Sequence, residues 1–331
     1  VVVLGPIAMM GSLVGRFLVP FAVTIGIATL VSLFVSFTLT PILAAILLLR
    51  FPQSYFNKKT SGMVNGAAAY FLYGAYSYLL AGGAALILLL AEGVGGISLP
   101  AFGISALGAL SLALNLYCGL EALKSGVMVL ASLAGSAGLL LPCIAGIFMF
   151  DEPMRPVQFV GIAVLIFSGW LLIGYSKEQK GAFTPRTLLL LLGSMLSNGM
   201  IMVAQKMFSK FLPDVSASVF SFLAFGLVGV GMLACLLLRL ARSRSTDEIK
   251  KMPKKLFLYG IILSGILLVI NQLATVAGRS VPSAVMFPIN DGGATIISAV
   301  TAAIFFKEKL TARSVCGLLL GIASLMIINL C

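Results

Sequence analysis

Apolar runs of roughly twenty residues or more recur from one end of this chain to the other, and that recurrence limits the fold more than any single motif does. An α-helix rises 1.5 Å per residue, so about twenty residues cross a hydrocarbon layer of ~30 Å. Cutting the sequence at Gly, Pro and charged clusters leaves runs at 1–14, 18–49, 64–91, 98–122, 126–150, 155–176, 184–208, 214–241, 255–277, 282–306 and 310–331. Backbone N–H and C=O groups in lipid must be satisfied within the protein, which leaves helices or a closed barrel. The period-two alternation of barrel strands is absent. The expected fold is therefore all-α, a polytopic membrane helical bundle of about 10–11 transmembrane helices. The composition agrees, with 60% of the 331 residues hydrophobic and 10% charged, against about 25% charged in soluble domains.

The net charge of +12 does not point to nucleic acid, because the Lys and Arg fall in the short links between runs, where they report topology. Lipid is the expected partner. Cys118, Cys143, Cys235, Cys316 and Cys331 lie within apolar runs without CxxC pairing, so they read as packing residues and not as a zinc site or disulfide frame. The absence of histidine excludes a Ser-His dyad and an HExxH site, and no GxxxxGK[ST] loop is present to hydrolyse ATP. A Ser-Lys or paired-Asp mechanism stays formally open without a motif behind it, so neither enzyme nor cofactor is expected. The chain opens inside an apolar stretch with no basic leader before it, and reads as starting within a helix.

Sliding the chain on itself aligns Asn115 with Asn271, Glu152 with Glu308, Gly161 with Gly317 and Ser168 with Ser324 at one offset. A slightly shorter one aligns Gln53 with Gln205, Phe56 with Phe208 and Gly74 with Gly226. Five runs thus mirror five. Five is odd, so consecutive repeats would enter the membrane in opposite senses, the inverted repeat of many carriers. The expected organisation is a hairpin at 1–50, a first repeat at 51–176 and a second at 177–331.

Two stretches carry a family likeness: LLLPCIAGIFMFDEPMRPVQFVGIAVLIFSGWLL and VPSAVMFPINDGGATIISAVTAAIFFKEKLTARSVCGLLLGIASLMII. In each, a small-residue helix ends in an acidic link, Asp151-Glu152-Pro153 or Lys307-Glu308-Lys309, and a glycine-containing helix follows. From about 53 to 331 the chain resembles the EamA-type family of the drug/metabolite transporter superfamily. The resemblance implies a ten-helix secondary carrier in the cytoplasmic membrane. Such a carrier has a central cavity for a small-molecule solute, coupling to a proton or other ion, and no ATPase. Residues 1–49, with GPIAMMGSLVGRF and SLFVSFTLTPILA, resemble instead a hairpin of resistance-nodulation-division efflux pumps. This implies a chimera in which a pump hairpin has displaced the carrier's first helix. A non-transporting fusion or membrane scaffold is the alternative.

Cations gather on alternate links, with Arg50, Lys58, Lys59 and the Arg242 to Lys255 stretch on one side against Arg155, Lys206, Lys210 and Arg279 on the other. The positive-inside rule puts the richer side in the cytoplasm. Cys331 then faces outward, against the cytoplasmic termini the resemblance implies.

Among candidate pathway residues, Asp291 and Asn290 stand in FPINDGG inside an apolar run. An ionisable residue at membrane depth costs at least ~2.5 kcal/mol and normally faces a cavity or partner. Pro288, Gly292 and Gly293 weaken that turn and free carbonyls for a ligand. The cluster reads as a substrate or proton path, or as interhelical glue near a helix end. Asn115 and Asn271, with Gln272 and Tyr117, form a repeat-related polar set suited to a polar solute or to bridging helices. Asn198 and Gln205 carry the same two readings. Glu121 reads as an ion-pair partner of Lys124, and Glu152 and Glu308 as helix-start carboxylates. Tyr70, Phe71, Tyr73, Tyr76 and Tyr78 read as packing or interfacial residues or as the lining of a cavity for a planar solute, and Trp170 as a packing or interfacial residue.

Overall fold

The computed structural model describes residues 41–93, 95–124, 137–152, 154–172, 185–243, 247–250, 252–306 and 312–329. The run 1–14, most of 18–49, the start of 126–150 and Glu308 lie outside the described residues. The chain divides into two compact units, Val1–Ala45 and Ile46–Cys331, and the second holds nearly all of the described residues.

Among the described residues the secondary structure is helical, with no strand. We label α1 (41–61), α2 (Ala67–Glu92), α3 (Leu99–Lys124), α4 (Leu140–Met149), α5 (Pro156–Leu172), α6 (Pro185–Phe211), α7 (Ala217–Ser243) and α8 (Lys254–Ala277). Next comes α9, Ser283–Phe306 with a wide turn at Pro288–Gly292, and then α10 (Ala312–Asn329). Five of these, α2, α3, α6, α7 and α8, are long and apolar enough to cross a membrane.

Small residues set how the helices meet. On α2 a Cβ at Gly82 would lie 3.1 Å from the Gly226 nitrogen of α7, so the two backbones are in contact there, the small-residue packing that brings membrane helices together. Tyr78 stacks on Phe225 at the same seam, with ring centroids 5.9 Å apart. Gly108 on α3 faces the Phe220 ring of α7, and Gly193 on α6 faces the Cys118 sulfur of α3. Along α5 and α10, Ser168 Oγ donates to Gly317 O at 2.8 Å. On α8, Ser264 Oγ donates to Ser77 O of α2 at 2.8 Å. The core sits between α2, α3, α6 and α7, around Tyr78, Phe208, Phe220 and Phe225. Ile87, Leu110, Leu189 and Leu238 point outward, as residues facing lipid tails do. Cys118 and Cys143 are buried, whereas Cys235 and Cys316 are exposed and so do not serve as internal packing residues.

Two links differ from their sequence reading. The expected break after Leu49 is absent, and α1 runs unbroken through Arg50 to Ser61. Tertiary contacts hold it helical: Phe51 and Tyr55 meet the Phe305 ring edge-on at 5.4 and 5.2 Å, and Phe56 meets Tyr259 at 5.2 Å. The stretch from Arg242 to Lys255 is not merely a solvated loop. Its one-turn helix Asp247–Lys250 brings Glu248 to accept the Ala68 N–H at 2.7 Å, capping the start of α2.

Candidate functional site

The wide turn of α9 comes from its sequence. Pro288 has no N–H to donate and its ring crowds the preceding turn, and a π-type widening absorbs that mismatch inside a helix. The turn spans Pro288–Gly292 and is buried throughout. Gly292 and Gly293 admit the neighbouring side chains Leu165 of α5 and Leu47 of α1, where any Cβ would collide. Thr295 Oγ1 donates to the Asp291 carbonyl at 3.1 Å.

Side chains of two other helices, α1 and α6, converge onto this turn. Asp291, with its side chain 7% exposed, pairs with Arg50 of α1, whose Nη2 lies 3.2 Å from Oδ1. The same Nη2 donates to Asn290 Oδ1 at 2.8 Å, and Nη1 donates to Gln53 Oε1 at 2.9 Å. Asn198 Nδ2 of α6 donates to the other Asp291 oxygen at 2.6 Å. One turn further along α1 and two along α9, the Ser54 and Ser298 hydroxyls lie 2.9 Å apart. The result is a buried polar knot joining α1, α6 and α9. Arg50 Nε is buried there without a hydrogen-bond partner among the described residues.

Gln205 and Asn271 also meet, but in a separate network. Gln205 Nε2 donates to Asn271 Oδ1 at 2.6 Å and lies 3.2 Å from Thr275 Oγ1, and Asn271 Nδ2 donates to Ser221 Oγ at 3.1 Å. Gln272 Nε2 donates to Ser218 Oγ at 3.0 Å. These bonds tie α6, α7 and α8 together, and a satisfied network of this kind rigidifies its surroundings. Asn115 and Asn271 do not converge. Asn115 Nδ2 reaches Ser194 O at 3.4 Å, about 16 Å along α6 from Gln205 at 1.5 Å per residue. Tyr117 is 42% exposed and packs edge-on against Tyr70.

Three charged residues of the interior escape sequence reasoning. Arg50 reads as a link residue, as a cation closing an apolar run normally does, yet it lies within α1 and faces Asp291. Lys206 reads as a link cation although it falls inside the run 184–208, and that position is the available signal of a buried partner. It is 1% exposed, with Nζ 2.7 Å from Glu152 Oε1. Glu152 does not start its own helix. It accepts the backbone N–H of Ser283 on α9 at 2.7 Å. Burial pushes the Glu152 carboxyl up, but the bonds from Lys206 and Ser283 outweigh it and hold the group below its ordinary range. Trp170 stacks on Phe167 and carries the Arg313 guanidinium 4.1 Å from its ring centroid, a cation–π contact.

Apolar helices that face one another through glycines, with the polar groups they bury satisfied mostly by one another, define a multi-pass integral membrane protein. Within it, residues 185–330 match the EamA-like transporter family, and residues 1–81 match the AcrB/AcrD/AcrF family. The first match falls on α6 to α10. The second extends past the hairpin expected at 1–49 to take in α1 and part of α2. Over 43 residues the chain is 54% identical to the multidrug resistance protein MdtC of Pantoea ananatis, a stretch amounting to 13% of this chain and 4% of that relative. The chain therefore spans only a small fraction of that curated relative. One solved crystal structure shares the fold with a TM-score of 0.64 at 16% identity, covering 88% of this chain and 96% of its own.

Proposed function

We propose that this chain is a secondary-active transporter of the cytoplasmic membrane. In this reading it exports a small metabolite or drug by alternating access of two inverted five-helix repeats, 51–176 and 177–331. The observation that carries the proposal is the buried knot at the broken turn of α9, in which Asn198, Asn290 and Asp291 lie within the stretch matched to a transporter family and Arg50 lies outside it. Ionisable groups at such depth are costly to retain unless they serve a path or a partner. Arg50 Nε supplies a buried donor for an anionic or carbonyl group of the solute. Asp291 is the acceptor for a cationic group or the coupling proton. The packing supports the repeats: α2 lies on α7 and α5 on α10, and the contact of α3 with α7 is matched by that of α2 with α8. Gln205, Asn271 and Gln272 flank the path as its rigid wall, while Asn115 and Tyr117 brace α3 against α6 and α2.

The test is export from cells stripped of their own exporters, challenged with amino-acid-like compounds and with cationic drugs. The parent chain is expected to lower accumulation of at least one compound, and Asp291→Asn to abolish this at unchanged protein level. Parental export by Asp291→Asn at every pH would remove Asp291 from the path. The second reading, a non-transporting fusion, draws on the match of residues 1–81 to the pump family. It predicts a reconstituted chain that binds a solute without moving it.

A further inference from the structure

Helices α6 and α9 run antiparallel and are tied at two levels. The deeper tie is Asn198 to Asp291. Eight residues on along α6 and eight back along α9, about 12 Å nearer the end of the bundle, stands the second. There Lys206 Nζ lies 2.7 Å from both Glu152 Oε1 and Val281 O, while Glu152 Oε2 accepts the Ser283 N–H at 2.7 Å. Glu152 belongs to neither helix. It comes from the link between α4 and α5, in the other half of the chain.

The local backbone is shaped to deliver it. Asp151 adopts a left-handed conformation (φ 51°), one that Asp tolerates better than most residues. The Glu152 N–H then turns back onto Gly146 O at 3.0 Å. Gly146 has no side chain to hold α9 away, and a Cβ there would lie 3.1 Å from Ser283 Cβ. A single carboxylate thus neutralises a buried lysine on α6 and caps the start of α9.

We propose that the Glu152–Lys206–Ser283 junction is the gate that closes this end of the bundle; the inference rests on the alternating-access reading. The link bearing Glu152 moves with the first half, whereas Lys206 and Ser283 move with the second. Withdrawal of Glu152 therefore breaks both bonds together, and the end of the bundle opens as a unit.

A native reporter lies beneath the junction. Cys143 is buried on α4, its sulfur 4.0 Å from Ser283 O. The experiment uses the full chain with Cys118, Cys235, Cys316 and Cys331 replaced by Ser. A membrane-impermeant maleimide is applied to intact cells and to everted vesicles. In Glu152→Gln and Lys206→Met, labelling of Cys143 is expected to rise about tenfold or more from one face only, as a shift of population toward the open state requires. Labelling as slow as in the parent in both variants overturns the gate. So does an equal rise from both faces, which would report general loosening. Elution of each variant as a single species at the parental expression level checks folding. Unmasking of Cys143 in a chain that exports no compound leaves the junction as a closure and refutes the carrier reading instead.

Discussion

Replacing Arg50 with Met removes the positive charge facing Asp291 and leaves the volume nearly intact. Asp291 keeps the Asn198 bond at 2.6 Å, but loses its counter-charge in a position 7% exposed. Removing one partner of a buried pair costs about 3–5 kcal/mol, because the other charge stays behind uncompensated. At roughly 2 °C per kcal/mol for a chain of this size, the midpoint of thermal unfolding should fall by about 6–10 °C. In the double variant Arg50→Met with Asp291→Asn no charge is stranded. Its loss should be smaller than the sum of the two single losses by about 2–3 kcal/mol, a coupling expected only between groups in contact. The assay is thermal unfolding of purified protein in mild detergent, read by reaction of the buried Cys118 and Cys143 with a thiol dye. An Arg50→Met midpoint within about 1 °C of the parent, or strictly additive losses, would refute the ion pair and with it the knot on which the proposed path rests.

Adjacent glycines on α2 should respond in opposite directions to alanine. At Gly82 the new Cβ meets the α7 backbone at 3.1 Å and overpacks the seam by about 1–3 kcal/mol. At Gly83 nothing lies within 4 Å, and the better helix former should gain up to about 1 kcal/mol; detergent unfolding midpoints of the two variants decide this. Glu152 gives a pH signature. Its carboxyl is held below its ordinary range in the folded chain, so its contribution is complete above the unfolded value near ~4.3 and is lost as pH falls through the lower folded value. The stability difference between the parent and Glu152→Gln should shrink below about pH 4, and a difference constant down to pH 3 would contradict the Lys206 bond.

Helix positions were legible because membrane helices must be long and apolar, and the edges of α3, α6, α8 and α9 fall within a few residues of the runs that predicted them. The broken turn of α9 was legible too, since Pro288 and the Gly292–Gly293 pair have local consequences wherever they sit. Which side chains face one another could not be read. Arg50 looks like any cation closing an apolar run, whereas in the fold Phe51, Tyr55 and Phe56 dock onto Phe305 and Tyr259 and Arg50 faces Asp291. Equal rank in a repeat did not bring Asn115 to Asn271, because each meets α6 at a different height. Glu152 reached α9 through a left-handed Asp151, which no periodicity announces.

The pairing of Arg50 with Asp291 joins two stretches of different likeness, the cation from the part matched to efflux pumps and the carboxylate from the part matched to EamA-like transporters. Any segment spliced onto this chain upstream of Gln53 inherits one obligation: a positive group at the level of Asp291. A replacement helix of perfect length and hydrophobicity that lacks it would strand a carboxylate in the interior. A graft at this junction is thus constrained in charge as well as in shape.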